Sequence, residues 1–285
     1  MDAELTEIGG RDPTVFNMRE LDAALSTFRP RLVEARIGQP RFVATEDELP
    51  AAVFTWWNLL DAVMATADIS ERYQTGYLRE FQVRRMLSLA RLPGMRTYCE
   101  IGMNGGHSTA AMLEANANLI VHSWDLMKFK YSRPVTDLLR TRFGHRVNFH
   151  AGDTRRTLTA SVFNVTCDLI LVDGDHTFEG ALRDMRRLKA FATPQSIVVV
   201  DDIALPPGQA LDQLVRHGTL HRLEQWGPYD APSPRNPCMR TPGPAECKTG
   251  ARPWLAHQCR PTNCMRWGFA VAAYNLTSTP ISRAI

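Results

Sequence analysis

Five apolar runs in this chain, TYCEIG, LIVHSWD, VNFHAGD, CDLILVDGD and SIVVVDD, each end in a carboxylate. The acids are Glu100, Asp125, Asp153, Asp173 and Asp201, the last followed directly by Asp202. If the final two runs are neighbouring parallel strands, Asp173, Asp201 and Asp202 converge. Clustered carboxylates repel one another, so such a group calls for a hard divalent cation with oxygen ligands, Mg²⁺ before Ca²⁺ or Mn²⁺. His176 follows Asp173 by three positions. A cation on a hydroxyl oxygen lowers the hydroxyl's pKa, and a neutral imidazole can take the proton near pH 7. Asp175, between them, is read as a cap of the next helix and is given no chemistry. A second group is the glycine cluster in EIGMNGGHS, where Gly102, Gly105 and Gly106 separate an apolar run from a helix-forming stretch. Glycines suit a sharp turn that lets a ligand approach, and the helix start behind it offers free N–H groups.

The elements that would hold these groups follow from periodicity. From Arg96 on, short apolar runs alternate with helical segments, which implies crossover units and a parallel sheet. Continuous runs such as LILV and IVVV imply burial on both faces. In such open α/β sheets the ligand crevice lies outside the carboxyl ends of the strands, where the five acids stand. The segment LDQLVRHG predicts a helix, TLHRLEQWG a strand and WGFAVAAYN a last strand. A long loop, about 228 to 266, separates the two strands. Ahead of the sheet, apolar residues at helical spacing predict helices over Arg19–Ile37, Glu46–Ala67 and Ser70–Leu92. Residues 1–95 are accordingly expected to form a helical cap or lid and residues 96–285 the main domain, with 228–266 a cysteine-rich insertion. Trp56 and Trp57 are read as core residues rather than pocket lining.

The motif series EIGMNGG, Asp125, GDT, VDGDH and VVVDD resembles a class I S-adenosylmethionine-dependent methyltransferase over Arg96–Ile203. The resemblance implies a doubly wound, mostly parallel seven-stranded sheet of Rossmann-like type, with WGFAVAAYN as its antiparallel last strand. It implies that Gly102, Met103, Asn104, Gly105, Gly106 and Ser108 meet the methionine part of the cofactor, with Glu100 facing its ammonium group. Asp125 would accept the ribose hydroxyls, Asp153 would lie against the adenine amino group, and Asp173 would border the cofactor. The turn departs from the dinucleotide fingerprint G-x-G-x-x-G in its spacing, which suits a ligand without a pyrophosphate. Asp-x-x-His with a later acidic pair resembles the metal-dependent O-methyltransferases that act on sugar hydroxyls of macrolides and related compounds. In that group the Asp and the acidic pair, here Asp173, Asp201 and Asp202, bind the metal and the His, here His176, is the general base. The expected acceptor is a hydroxylated small molecule, a sugar or polyketide-like compound. A catechol or acyl-ester O-methyltransferase and a non-catalytic binding protein on the same fold stand as alternatives. Lys128 and Lys130 would suit the catechol type but are read as facing water.

The 285 residues carry a net charge of +3, with 44% hydrophobic and 22% charged side chains, an ordinary globular composition that gives no argument for nucleic acid. No apolar run reaches the length of a membrane span. Of six cysteines, Cys99 and Cys167 sit in apolar runs and are read as small buried core residues. Cys238, Cys247, Cys259 and Cys264 crowd into the Pro/Gly-rich insertion, where disulfides, free thiols and a zinc site all stay open. The polar N-terminus, with nothing like a signal peptide, points to the cytoplasm, whereas paired cysteines would point to an oxidising compartment. A homo-oligomer is left open.

Overall fold

A computed structural model of the chain describes residues 51–67, 80–159, 165–232 and 264–276. The helix expected over Arg19–Ile37 and most of the cysteine-rich insertion lie outside the described residues. In chain order the elements are α1 (Ala51–Ala67), α2 (Glu80–Ala90), β1 (Thr97–Ile101), α3 (His107–Ala115), β2 (Ile120–Asp125), α4 (Ser132–Phe143) and β3 (Val147–Ala151). The short α5 (Thr154–Thr157), β4 (Cys167–Val172), α6 (Phe178–Leu188), β5 (Ala192–Val200), α7 (Pro206–Arg216), β6 (Leu220–Pro232) and β7 (Cys264–Tyr274) follow. The strands form a seven-stranded sheet in the order β3-β2-β1-β4-β5-β7-β6. β1 to β5 are parallel and β7 enters antiparallel between β5 and β6.

The fold has the architecture read from the motif series. The continuous apolar strands are buried on both faces because helices cover both. Tyr98, Leu171 and Val199 belong to one core with α1, α2 and α3, while Ile170, Val198 and Val200 belong to a second core with α6 and α7. Strand order runs 3-2-1 to one side and 4-5 to the other, so the topology reverses between β1 and β4. That reversal leaves a crevice outside their carboxyl ends, because the crossover helices depart to opposite faces there.

Both helices described from the N-terminal third are built into the core. Val53, Trp57, Leu60 and Met64 of α1 are fully buried. Trp57 Nε1 donates to the His107 carbonyl at 2.9 Å, and Trp56 Nε1 donates to Glu114 at 2.7 Å. The two tryptophans therefore seat α1 on α3, as core residues. On α2, Arg85 forms a buried ion pair with Glu224 of β6, and Trp226 Nε1 donates to the same carboxylate at 3.0 Å.

Two local readings need correction. Cys99 and Cys167 are not free core thiols. They form a disulfide between β1 and β4, with a Cα–Cα distance of 5.7 Å. The parallel pairing of those strands brings the cysteines together, which their positions in the chain do not announce. The expected loop from 228 is shorter at both ends, since β6 runs to Pro232 and β7 starts at Cys264. β7 pairs with β5 only over Ala270–Ala272, but with β6 from Cys264 to Tyr274. The hairpin thus extends beyond the carboxyl end of β5. Pro and Gly in the sequence suggested a break there, yet cross-strand pairing tolerates them at bulges, and the register does shift between Trp226 and Tyr229.

Candidate active site

The turn after β1 lies directly on the turn after β4. Gly102 has φ +93°, and a Cβ at that position would stand 1.9 Å from the Asp173 carbonyl oxygen. No side chain fits there. At Gly105 a Cβ would meet the Met64 sulfur of α1 at 2.6 Å. These glycines therefore serve close approach of the protein to itself, whereas the sequence suggested clearance for a ligand. The same edge is tied by backbone bonds, Gly102 N–H to the Trp124 carbonyl at 2.9 Å and Asp173 N–H to the Ile101 carbonyl at 3.0 Å.

Asn104 takes the left-handed conformation at φ 50°. Its N–H donates to Asp125 Oδ2 at 2.9 Å, and Tyr131 Oη donates to its Oδ1 at 2.5 Å. Asp125, half-buried at the end of β2, also accepts the Met127 N–H on Oδ1 at 2.6 Å. Each of its oxygens keeps a lone pair for another donor. Leu126 beside it is 57% exposed, an apolar surface at the same edge. A half-buried carboxylate with accepting capacity next to an exposed apolar side chain fits a ribose and a base.

Other members of the expected cofactor set are placed differently. Glu100 is fully buried and accepts from Tyr98, Ser108, Thr109 and Ser123. It lies behind the glycine turn, so the structure does not support the expected contact with an ammonium group. Ser108 is buried with it, and Met103 is 2% exposed in the core. Asp153 caps α5 and accepts from the Arg155 backbone at 2.8 Å and from the Arg155 Nε at 2.8 Å. The Arg155 side chain holds its carboxyl well below the usual range, at about 2. It faces that arginine, and the nearest link to the turn is the Gly152 N–H, which donates to the Asp125 carbonyl at 2.8 Å.

On the β4–β5 side, Asp173, His176 and Asp202 offer ligand atoms that all lie within 4.8 Å of one another. His176 Nε2 is 3.5 Å from Asp173 Oδ1 and 3.3 Å from Asp202 Oδ2. The bond to Asp173 and the surrounding carboxylate charges push the His176 pKa up to about 9. Asp202 is buried and sits at φ 53°, a backbone turn that aims it back toward Asp173. Asp201, expected as an equal partner, is near enough to interact with Asp173 and Asp202 but is not among the residues whose ligand atoms group within 4.8 Å. It is buried, its Oδ1 accepts the Asp202 N–H at 2.7 Å, and the Gln82 side chain of α2 acts on it. Burial first, then Asp173 and Asp202, push its pKa well up. The two carboxylates at this spacing fit a divalent cation, and the imidazole stands beside them. Helix α6 is capped by Thr177, whose hydroxyl accepts the Gly180 N–H at 3.1 Å, and Asp175 supports that cap by accepting the Thr177 N–H at 3.0 Å. Sequence reading missed Gln82 and Tyr131. No spacing marks either, because each reaches the site from a separate element.

Residues 99–203 match the family described as a methyltransferase domain. The fold is shared with solved structures of low identity. Cofactor-bound Rv0187 from MTB aligns with TM-score 0.55 and 17% identity, over 83% of this chain and 98% of that one. A putative O-methyltransferase from Klebsiella pneumoniae aligns with TM-score 0.52 and 14% identity, over 90% and 99%. The O-methyltransferase TomG from Streptomyces achromogenes, involved in tomaymycin synthesis and solved with SAM, gives TM-score 0.50 and 14% identity, over 81% and 98%. No curated protein matches the chain.

Proposed function

We propose that this chain, whose residues 99–203 match a methyltransferase domain, is an S-adenosylmethionine-dependent, divalent-cation-assisted O-methyltransferase acting on a hydroxyl of a small molecule, sugar or polyketide-like. One observation carries the reading. The glycine turn after β1 and Asp173 after β4 are in direct backbone contact, so the candidate cofactor half and the candidate cation half share one crevice. TomG, on the same fold, was solved with SAM bound.

In this reading Asp125 orients the ribose, and the glycine turn and its helix place the methionine end. Asp173 and Asp202 hold the cation, with Asp201 supporting Asp202 from behind. A divalent ion bound there supplies charge that lowers the pKa of a neighbouring hydroxyl. His176 Nε2 is the atom that takes the acceptor's proton. Asp173 first, then Asp202 and Asp201, raise the pKa of that imidazole. Positive charge bound by Asp173 and Asp202 works against the imidazolium and favours the neutral ring a base requires. Methyl transfer itself demands little beyond alignment of oxygen, carbon and sulfur.

The test is methyl transfer from S-adenosylmethionine to a panel of hydroxylated acceptors, with Mg²⁺ and with EDTA. Activity should vanish in EDTA and return with the cation. His176→Ala should keep cofactor affinity and lose turnover by a factor on the order of 10² to 10⁴. Full activity in EDTA would remove the cation from the mechanism, and wild-type turnover in His176→Ala would remove the base.

A further inference from the structure

Glu100 has no solvent exposure, and both of its oxygens are occupied. Oε1 accepts from Ser123 Oγ at 2.9 Å and from Thr109 Oγ1. Oε2 accepts from Ser108 Oγ at 2.6 Å and from Tyr98 Oη at 2.9 Å. A carboxylate offers about four lone-pair sites, so four hydroxyls saturate it. The donors come from three elements. Tyr98 shares β1 with Glu100, Ser123 is its register partner on β2, and Ser108 and Thr109 form the first turn of α3.

That first turn lacks the usual means of fixing itself. Its N-cap is Gly106, in the left-handed conformation at φ 76°, and no side chain caps it. A helix start without a capping side chain frays more readily. Here two of its hydroxyls are instead held from the sheet side by Glu100. Moving this carboxylate into the core is costly, and burial does push its pKa up while the hydroxyls pull it back. A buried acid satisfied by four donors rigidifies what it joins.

We propose that Glu100, together with Ser123, is a positioning pair that sets the glycine turn and the N-terminus of α3 against the sheet, and so fixes the cofactor site without touching the cofactor. The inference rests on the cofactor reading above, but part of its test does not.

The experiment uses the full chain as wild type, Ser123→Ala and Glu100→Gln. Two ligands are titrated by calorimetry, S-adenosylhomocysteine and its analogue lacking the amino group. Amide hydrogen exchange is followed over 105–112, with β4 and β5 as internal controls. A positioning pair weakens both ligands by the same factor, on the order of tenfold, in each variant. Exchange in the first turn of α3 rises while β4 and β5 keep wild-type protection. Ser123 is fully buried, so a ligand cannot contact it directly, and Ser123→Ala still decides the question if Glu100→Gln does not fold. Loss confined to the amino-bearing ligand in Glu100→Gln would mean direct contact with the ammonium group and overturn the proposal. Unchanged affinity and exchange in Ser123→Ala would overturn it too. If the wild type binds neither ligand, the cofactor reading fails, and the exchange result alone upholds or overturns the positioning role.

Discussion

Asp125 shows how one side chain links the turn to a ligand. It already orders Asn104 and Met127 through their N–H groups. Substitution by alanine removes a charged acceptor for ribose hydroxyls and also releases the turn. Asp125→Ala should therefore weaken S-adenosylmethionine binding by about 1–3 kcal/mol, measured by calorimetry. Wild-type affinity in this variant would take Asp125 out of the site. Asp153 contrasts with it. Its carboxylate is committed to Arg155, and the same substitution there should act on α5 more than on affinity.

At the scale of elements, the edge strand β3 and its neighbour β2 carry a titratable pair. His150 stacks on Trp124 with centroids 4.5 Å apart, and His122 Nδ1 lies 3.1 Å from His150 Nε2. Burial, then the neighbouring His122, lowers the His150 pKa from 6.5 to about 4, and burial lowers that of His122 as well. In the unfolded chain both rings take a proton near pH 6.5. Between about pH 6.5 and pH 4 the unfolded state thus binds more protons than the native state, so stability falls as the pH drops through that window. The raised pKa of His176 acts the other way, so the His150 contribution is read as a difference: on going from pH 7 to pH 5, unfolding by denaturant should show wild type losing more stability, or gaining less, than His150→Asn. An equal pH slope in wild type and variant would clear His150 of the effect.

For the whole molecule, the decisive join is between β1 and β4, where the topology reverses and the site opens. The Cys99–Cys167 disulfide closes a segment with a sequence separation of 68 across that join. In the chain-entropy account, a loop of that size is worth about 4 kcal/mol, less any native-state distortion. Cys99→Ala with Cys167→Ala should lower the free energy of unfolding by about that much. Both cysteines are fully buried, so exposure of the native protein to mild reductant should change far less than the double substitution does. An unchanged denaturation midpoint in the double variant would show that the strands need no covalent tie.

The sequence alone determined the sheet class, the order of its strands along the chain and the acids at their carboxyl ends. Hydrophobic runs and glycine turns are local signals, and a parallel sheet places every such end on one edge. It also marked Asp173, Asp201 and Asp202 for a cation and His176 for a base, and of these the structure brings ligand atoms of Asp173, His176 and Asp202 within 4.8 Å of one another. Tertiary structure decided which of the acids are available. Glu100, Asp153 and Asp201 occupy equivalent strand ends, yet one is saturated by hydroxyls, one is held by Arg155, and one is buried and accepts the Asp202 N–H. The partner of a carboxylate depends on which elements pack beside it. Glu100 to Ser123, Gln82 to Asp201 and Cys99 to Cys167 are neighbours only once β1 lies between β2 and β4 and α2 lies against the sheet. No spacing along the chain encodes those contacts.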